Sequence, residues 1–306
     1  MIKVFGHKSP DTDATCSAII WAWYLTNNTA QEAEPFVLGE LNSETKFVLN
    51  EWGISSPDVL EAISADDKVV IVDTNNPQEL FENINESQII EIIDHHKLVG
   101  GLTTDTPPSI TIRPLACTAT VLYDLMQEKA VVPPKEIAGL ILSCILSDTL
   151  MFRSPTTTPH DKDVAEKLAG DLKLEIETYA NRMFEAKSDI SDFTDIGLVR
   201  LDSKKYEVGE KNLRVSVIET TNPETVLKRK SGIIAAIETI TGEEKDIDDV
   251  LFFVVDILKE EATVLTYNDF TADIVAKSFG VKVETDTEVL PGVVSRKKQI
   301  LPALTV

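Results

Sequence analysis

Positive charge is scarce in this chain of 306 residues: 29 lysines and arginines stand against 51 aspartates and glutamates, a formal net charge of −22. Such a chain repels polyanions at long range, which argues against a nucleic-acid partner and requires any anionic substrate to be met by a local cluster of cations. Cysteine is nearly absent. Cys16, Cys117 and Cys144 are odd in number, far apart and set in apolar helical patterns. This argues against disulfides and closely spaced thiolate metal sites, and we expect all three in the core. No apolar run approaches the roughly 18 residues of a membrane span. The N-terminus also lacks the cationic start and long apolar core of a signal peptide. We therefore expect a soluble, cytoplasmic protein with no membrane partner.

What is present is an alternation of short β-branched runs with longer helical patterns. MIKVFG (1–6), PFVLG (35–39), KVVIVD (68–73) and SQIIEIID (87–94) read as strands, apolar on both faces as buried parallel strands are. Residues 14–28, 42–53, 116–129, 135–150, 161–171 and 174–187 carry helical spacing. This order predicts an α/β fold with a doubly wound, mainly parallel sheet over residues 1–187. Near AKSDISDFTD (186–195) the apolar pattern lapses, which marks a linker. Beyond it, strands at 212–220, 249–258 and 262–268 with helices near 223–240 and 271–279 predict a smaller mixed α/β domain over 195–306. Lys259 and Glu260 are placed to turn a hairpin.

The polar residues that interrupt the apolar runs carry the chemistry. His7, Asp11 and Asp13 follow the first strand, Asp73 ends the third, and Asp94, His95 and His96 end the fourth. Asp148 closes the helix KEIAGLILSCILSD. Carboxyl ends of strands in an open parallel sheet share one edge, where such folds bind ligands, so these sequence-distant clusters can meet there. Each residue has a plainer role when taken alone: Asp11 or Asp13 as a helix N-cap, Asp73 as a turn former, Asp148 as a polar helix end. Those roles do not explain why carboxylates and imidazoles gather at successive strand ends. A metal site does. His160, in TTTPHD, reads as a helix-start residue without an assigned role. Oxygen ligands mixed with a few imidazoles and no thiolate suit Mn²⁺, Co²⁺ or Mg²⁺ better than structural Zn²⁺. The set exceeds the needs of one ion, and two ions about 3.5–4 Å apart are the machinery of phosphoryl hydrolysis.

GHKSPDTDA, VDTNN, DHH and SD, in this order, resemble the DHH phosphoesterase superfamily, and SRKKQ (295–299) resembles the manganese-dependent, family II inorganic pyrophosphatases within it. The resemblance spans essentially the whole chain. It implies that His7, Asp11 and Asp73 bind one Mn²⁺, that Asp13, Asp73, His95 and Asp148 bind the other, and that Asp73 bridges the two. It also implies that His96 faces the substrate phosphate, that DSKKY (202–206) supplies a phosphate-binding lysine at Lys204, with Lys205 as its neighbour, and that SRKKQ supplies Arg296 and Lys297. The implied reaction is hydrolysis of Mg²⁺-bound pyrophosphate to two phosphates in a cleft between the domains, with Co²⁺ as a possible substitute for Mn²⁺. A homodimer formed through the first domain is implied as well. The short path from DHH to SD leaves no room for nucleotide-binding regulatory modules. An exopolyphosphatase or another phosphoesterase of the same superfamily is the alternative reading.

Overall fold

The computed structural model describes residues 1–305 and divides the chain into two compact units, Met1–Ala186 and Lys187 onward. In the first unit, strands β1 (Ile2–Phe5), β2 (Ala33–Val37), β3 (Asp58–Val59), β4 (Lys68–Val72), β5 (Gln88–Asp94) and β6 (Ser109–Ile112) form one sheet. Its order is β3-β2-β1-β4-β5-β6 and every pairing is parallel. The chain runs outward from β1 through β2 to β3 and then returns to build β4, β5 and β6 on the other side. The strand order therefore reverses between β1 and β4, where open α/β sheets form a crevice beyond the strand carboxyl ends. Val69, Val70, Ile71 and Val72 are fully buried, as the unbroken apolar run requires.

Six helices belong to this unit: α1 (Thr12–Asn28), α2 (Ser43–Glu51), α3 (Thr118–Glu128), α4 (Lys135–Asp148), α5 (Pro159–Leu172) and α6 (Ile176–Lys187). Helix α1 is buried almost all round, which suits its small and apolar sequence TDATCSAIIWAW. Its first turn sits hard against the end of β1. A Cβ on Gly6 would lie 2.8 Å from the Cβ of Ala14, so only glycine permits this approach, which brings Asp13 over the strand ends.

The second unit contains β7 (Ser203–Val208), β8 (Lys211–Thr220), β9 (Asp249–Asp256), β10 (Glu261–Leu265) and β11 (Thr287–Pro291), ordered β11-β10-β9-β8-β7. Only β8 and β9 are parallel neighbours. Helices α7 (Asp195–Leu201), α8 (Pro223–Leu227), α9 (Lys230–Glu243) and α10 (Asp269–Phe279) accompany the sheet, and a π-helical turn (Arg296–Ile300) leads into α11 (Leu301–Ala303). Strand β9 is buried on both faces. Val250, Phe252 and Val254 pack with α7 and α9, while Leu251, Phe253 and Val255 pack with α10, the period-two alternation of a central strand.

Several elements depart from the sequence expectation. β3 and β6 are short, exposed edge strands, and β7 (SKKYEV) is an edge strand with three charged residues whose two apolar side chains, Tyr206 and Val208, alternate on one face and pack partly buried against the core. α7 occupies residues next to the expected linker, and the helix expected near 223–240 is two helices, α8 and α9. The hairpin between β9 and β10 turns through Glu260, whose φ is +55°.

Candidate metal centre

Beyond the carboxyl ends of β1, β4 and β5, three groups of donor atoms converge, each with its ligand atoms within 4.8 Å of one another: His7, Asp11 and Asp73; Asp73, His95 and His96; Asp13, Cys117 and Asp148. Asp73 belongs to two of them. Its Oδ2 lies 3.6 Å from His7 Nε2 and its Oδ1 lies 3.4 Å from His95 Nε2, so its two oxygens face opposite sides of the centre. Asp73 is 2 % exposed and adopts a left-handed φ of +59°, a conformation that aspartate tolerates better than most residues and that re-aims the chain as β4 ends.

The first turn of α3 anchors the carboxylates. Asp13 accepts hydrogen bonds from the backbone N–H of Thr118 (2.6 Å) and Ala119 (3.1 Å), from Ser17 Oγ (3.0 Å) and from Cys117 Sγ (3.2 Å). Thr118 Oγ1 donates to Asp73 Oδ1 at 2.9 Å, so one threonine ties both aspartates to the same helix end. These partners lie in CTAT (117–120), which was not singled out in the sequence. The available signal was a helix start built from small donors rather than from a capping aspartate. Cys117 is buried as expected, but it also touches Asp13, which the core assignment missed. Asp11 retains its plainer role too, since its Oδ1 caps α1 at Ala14 N while its Oδ2 stands 3.7 Å from His7 Nε2.

The two histidines of the DHH motif are oriented differently. His95 Nδ1 lies 3.0 Å from the carbonyl of Leu115, which can only accept, so Nδ1 carries the hydrogen and Nε2 faces Asp73. This is the arrangement that fixes a metal-ligating imidazole. His96 is half-exposed, and its Nδ1 is held 2.9 Å from Asp94 Oδ1. Asp94, fully buried, also accepts from the backbone N–H of His95 (2.7 Å) and His96 (3.0 Å) and from Asn75 Nδ2 (2.6 Å). Asp94 thus shapes the turn that carries both histidines. His160 lies apart from the centre, with Nε2 2.8 Å from Asp124 Oδ1.

The electrostatics of the centre call for positive charge. Burial alone would lower the pKa of His7, but hydrogen bonds to Asp11 and Asp73 push it up to about 10. His95 behaves likewise and rises to about 9, chiefly through Asp73 and the charge of Asp13. Burial and the nearby Asp73 charge raise Asp13 to about 7. Asp73 is held below the usual carboxylate range because the two imidazoles outweigh its burial. The carboxylates thus favour positive charge at this point, which a bound cation would supply in place of protons on His7 and His95. Hard oxygens with a minority of imidazoles fit a divalent ion such as manganese. A cavity of 590 Å³ adjoins the centre, lined by His7, Lys8, Asn75, His96, Lys97 and other residues of the strand-end loops.

In the second unit, the two basic stretches meet. Arg296 donates from Nη1 to the carbonyl of Asp202 at 2.8 Å and pairs through Nη2 with Asp202 Oδ1 at 2.7 Å, two residues from Lys204. Lys204 and Lys205 point to opposite faces of β7. Lys205 is committed to Glu244 (3.0 Å) and Asp246 (2.7 Å), whereas Lys204 and Lys297 are exposed and form no ion pair among the described residues.

Residues 1–145 match the DHH family N-terminal domain and residues 181–306 match the DHHA2 domain, so the chain has the two-part composition of a DHH-type protein. The manganese-dependent inorganic pyrophosphatase of Bacillus subtilis (strain 168) is 39% identical over 305 residues, covering 99% of this chain and 97% of that protein. A crystal structure from Methanococcus jannaschii, described as a candidate family II inorganic pyrophosphatase, is 34% identical with a TM-score of 0.64, covering 99% of this chain and 98% of the other. The chain belongs to the manganese-dependent, family II inorganic pyrophosphatases.

Proposed function

We propose that this protein hydrolyses inorganic pyrophosphate to two phosphates at a centre holding two Mn²⁺ ions per chain. His7, Asp11 and Asp73 would hold one ion, and Asp13, Asp73, His95 and Asp148 the other. The observation that carries this reading is the placement of Asp73, with one oxygen toward His7 and the other toward His95. When bound, manganese supplies Lewis-acid chemistry and lowers the pKa of coordinated water toward neutrality.

The chain's own residues do the rest. His95 is kept in its ligating tautomer by Leu115, and His96 is turned by Asp94 so that Nε2 is free to meet a phosphate oxygen. Lys204, Arg296 and Lys297 neutralise the departing phosphate; Arg296 would exchange its pairing with Asp202 for phosphate oxygens, a bidentate contact that its planar fork suits. The ion pairs of Lys205 support Lys204 as the lysine left for substrate. Mg²⁺ accompanies the substrate, Co²⁺ can replace Mn²⁺, and the active form is a cytoplasmic homodimer paired through the first domain. Among the described residues no helix is long and apolar enough to cross a membrane. Phosphate release from pyrophosphate and from long-chain polyphosphate at equal phosphoanhydride concentration tests the substrate. Pyrophosphate should be the strongly preferred substrate; preference for the polymer would favour the exopolyphosphatase reading.

A further inference from the structure

We infer that Glu44 is a positioning residue for the metal centre, a buried strut that sets the separation of Asp13 and Asp148. Glu44 lies in the first turn of α2 and is 1 % exposed. Its Oε2 accepts hydrogen bonds from Thr12 Oγ1 at 3.1 Å and from Ser147 Oγ at 2.8 Å. Thr12 opens α1 immediately before Asp13, and Ser147 stands immediately before Asp148 at the close of α4. One carboxylate oxygen therefore joins the two segments that deliver Asp13 and Asp148, whose ligand atoms lie within 4.8 Å of each other. The inference rests on the reading that both aspartates serve the same ion.

Burying a carboxylate is unfavourable unless its hydrogen-bonding capacity is met, so its site has to be built for it. Here the two hydroxyl donors serve Oε2, and the N-terminal end of α2 favours the negative charge. The junction is braced from a third side: Thr45 Oγ1 is 3.2 Å from Thr12 Oγ1, and Asn42 caps α2 at Thr45 N. Two aspartates brought together without an ion repel each other and would drift apart. A strut behind them resists that drift and keeps the gap at the width that a cation requires, so metal binding is spared the work of closing it.

The test is calorimetric titration of chelator-stripped protein with Mn²⁺ alone, comparing wild type with Glu44→Met, Glu44→Gln, Thr12→Val, Ser147→Ala and Asp148→Asn. Glu44→Met, which keeps bulk but removes the acceptor, should weaken one of the two ions about 10- to 100-fold and leave the other near its wild-type affinity. Thr12→Val and Ser147→Ala, each cutting one arm, should weaken the same ion, and they decide the matter if Glu44→Met does not fold. Glu44→Gln should retain most of the affinity, because its amide oxygen can accept from the same two hydroxyls. Wild-type affinity at both sites in the arm-cutting variants, or a Glu44→Gln protein as impaired as Glu44→Met, would overturn the strut while Asp148→Asn still weakens an ion. If Asp148→Asn binds both ions normally, the ligand assignment falls and the strut falls with it.

Discussion

Replacing Asp94 by alanine removes the acceptor of four hydrogen bonds from a fully buried position: two backbone N–H groups of the DHH turn, the His96 ring and the Asn75 amide. Burial alone would raise the Asp94 pKa, yet the His96 ring, the His96 N–H and Asn75 hold it below the ordinary carboxylate value, so the carboxylate is the form these donors select. Hydrogen bonds to a charged group contribute about 1.5–3 kcal/mol each, but bonds sharing one carboxylate do not add independently. Breaking such a buried network costs about 3–5 kcal/mol. For a unit of this size, 1 kcal/mol shifts the melting temperature by about 2–4 °C, so Asp94→Ala should melt roughly 6–20 °C lower. The same change frees His96 to rotate and loosens His95. kcat/KM for pyrophosphate should fall about 10- to 100-fold even well below the new melting temperature. Asp94→Asn, which keeps one acceptor oxygen, should fall between the two proteins. Scanning calorimetry and phosphate release measure both effects. An Asp94→Ala protein within about 1 kcal/mol of wild type, with unchanged kcat/KM, would refute the claim that Asp94 sets the turn.

Asp73→Asn should lower the retention of both ions with little change of fold, seen as metal content after gel filtration; two tightly held ions and normal activity would exclude a bridging Asp73. Arg296→Ala should keep both ions and lose about 10²-fold in kcat/KM, whereas Asp11→Ala should lose metal affinity first; normal pyrophosphate hydrolysis by Arg296→Ala would make the basic cluster a solvated patch. In the metal-free protein, the folded pKa values of His7 and His95, about 10 and about 9, exceed the ordinary 6.5. Stability from their protonated forms is therefore complete below about pH 6.5 and is lost as pH rises through 9 to 10. The melting temperature of stripped protein should thus decline across pH 7–10, and a flat profile would contradict the charge pairing around Asp73.

The strand-end residues were legible because a buried parallel strand reads as an unbroken apolar run, and Asp73, Asp94 and His95 stand out where such a run stops. The order of those runs also predicted the parallel sheet. Edge strands were not legible: β6 (SITI) offers only Ile110 and Ile112 as an apolar face, and β7 (SKKYEV) only Tyr206 and Val208 among charged residues, so each alternation is too short to mark a strand. Missing β7 left Lys204 and Lys205 indistinguishable, although strand alternation separates them once the strand is known. The supporting partners were hidden for another reason. Thr118 and Glu44 are ordinary in sequence and Asn75 has no assigned role within VDTNN; their roles arise only when α3, α2 and the β4 loop are brought to the same place.

A dependence of pyrophosphate hydrolysis on ions held by imidazole as well as carboxylate is the expected behaviour. It is tested most directly by stripping the protein with chelator and measuring phosphate release from pyrophosphate after adding Mn²⁺, Co²⁺ or Mg²⁺ alone, or Mn²⁺ with Mg²⁺. Imidazole ligands favour Mn²⁺ and Co²⁺ over the strongly hydrated Mg²⁺. The stripped protein should be inactive, and Mn²⁺ or Co²⁺ should restore far more activity than Mg²⁺ alone; full activity in Mg²⁺ alone would contradict the account.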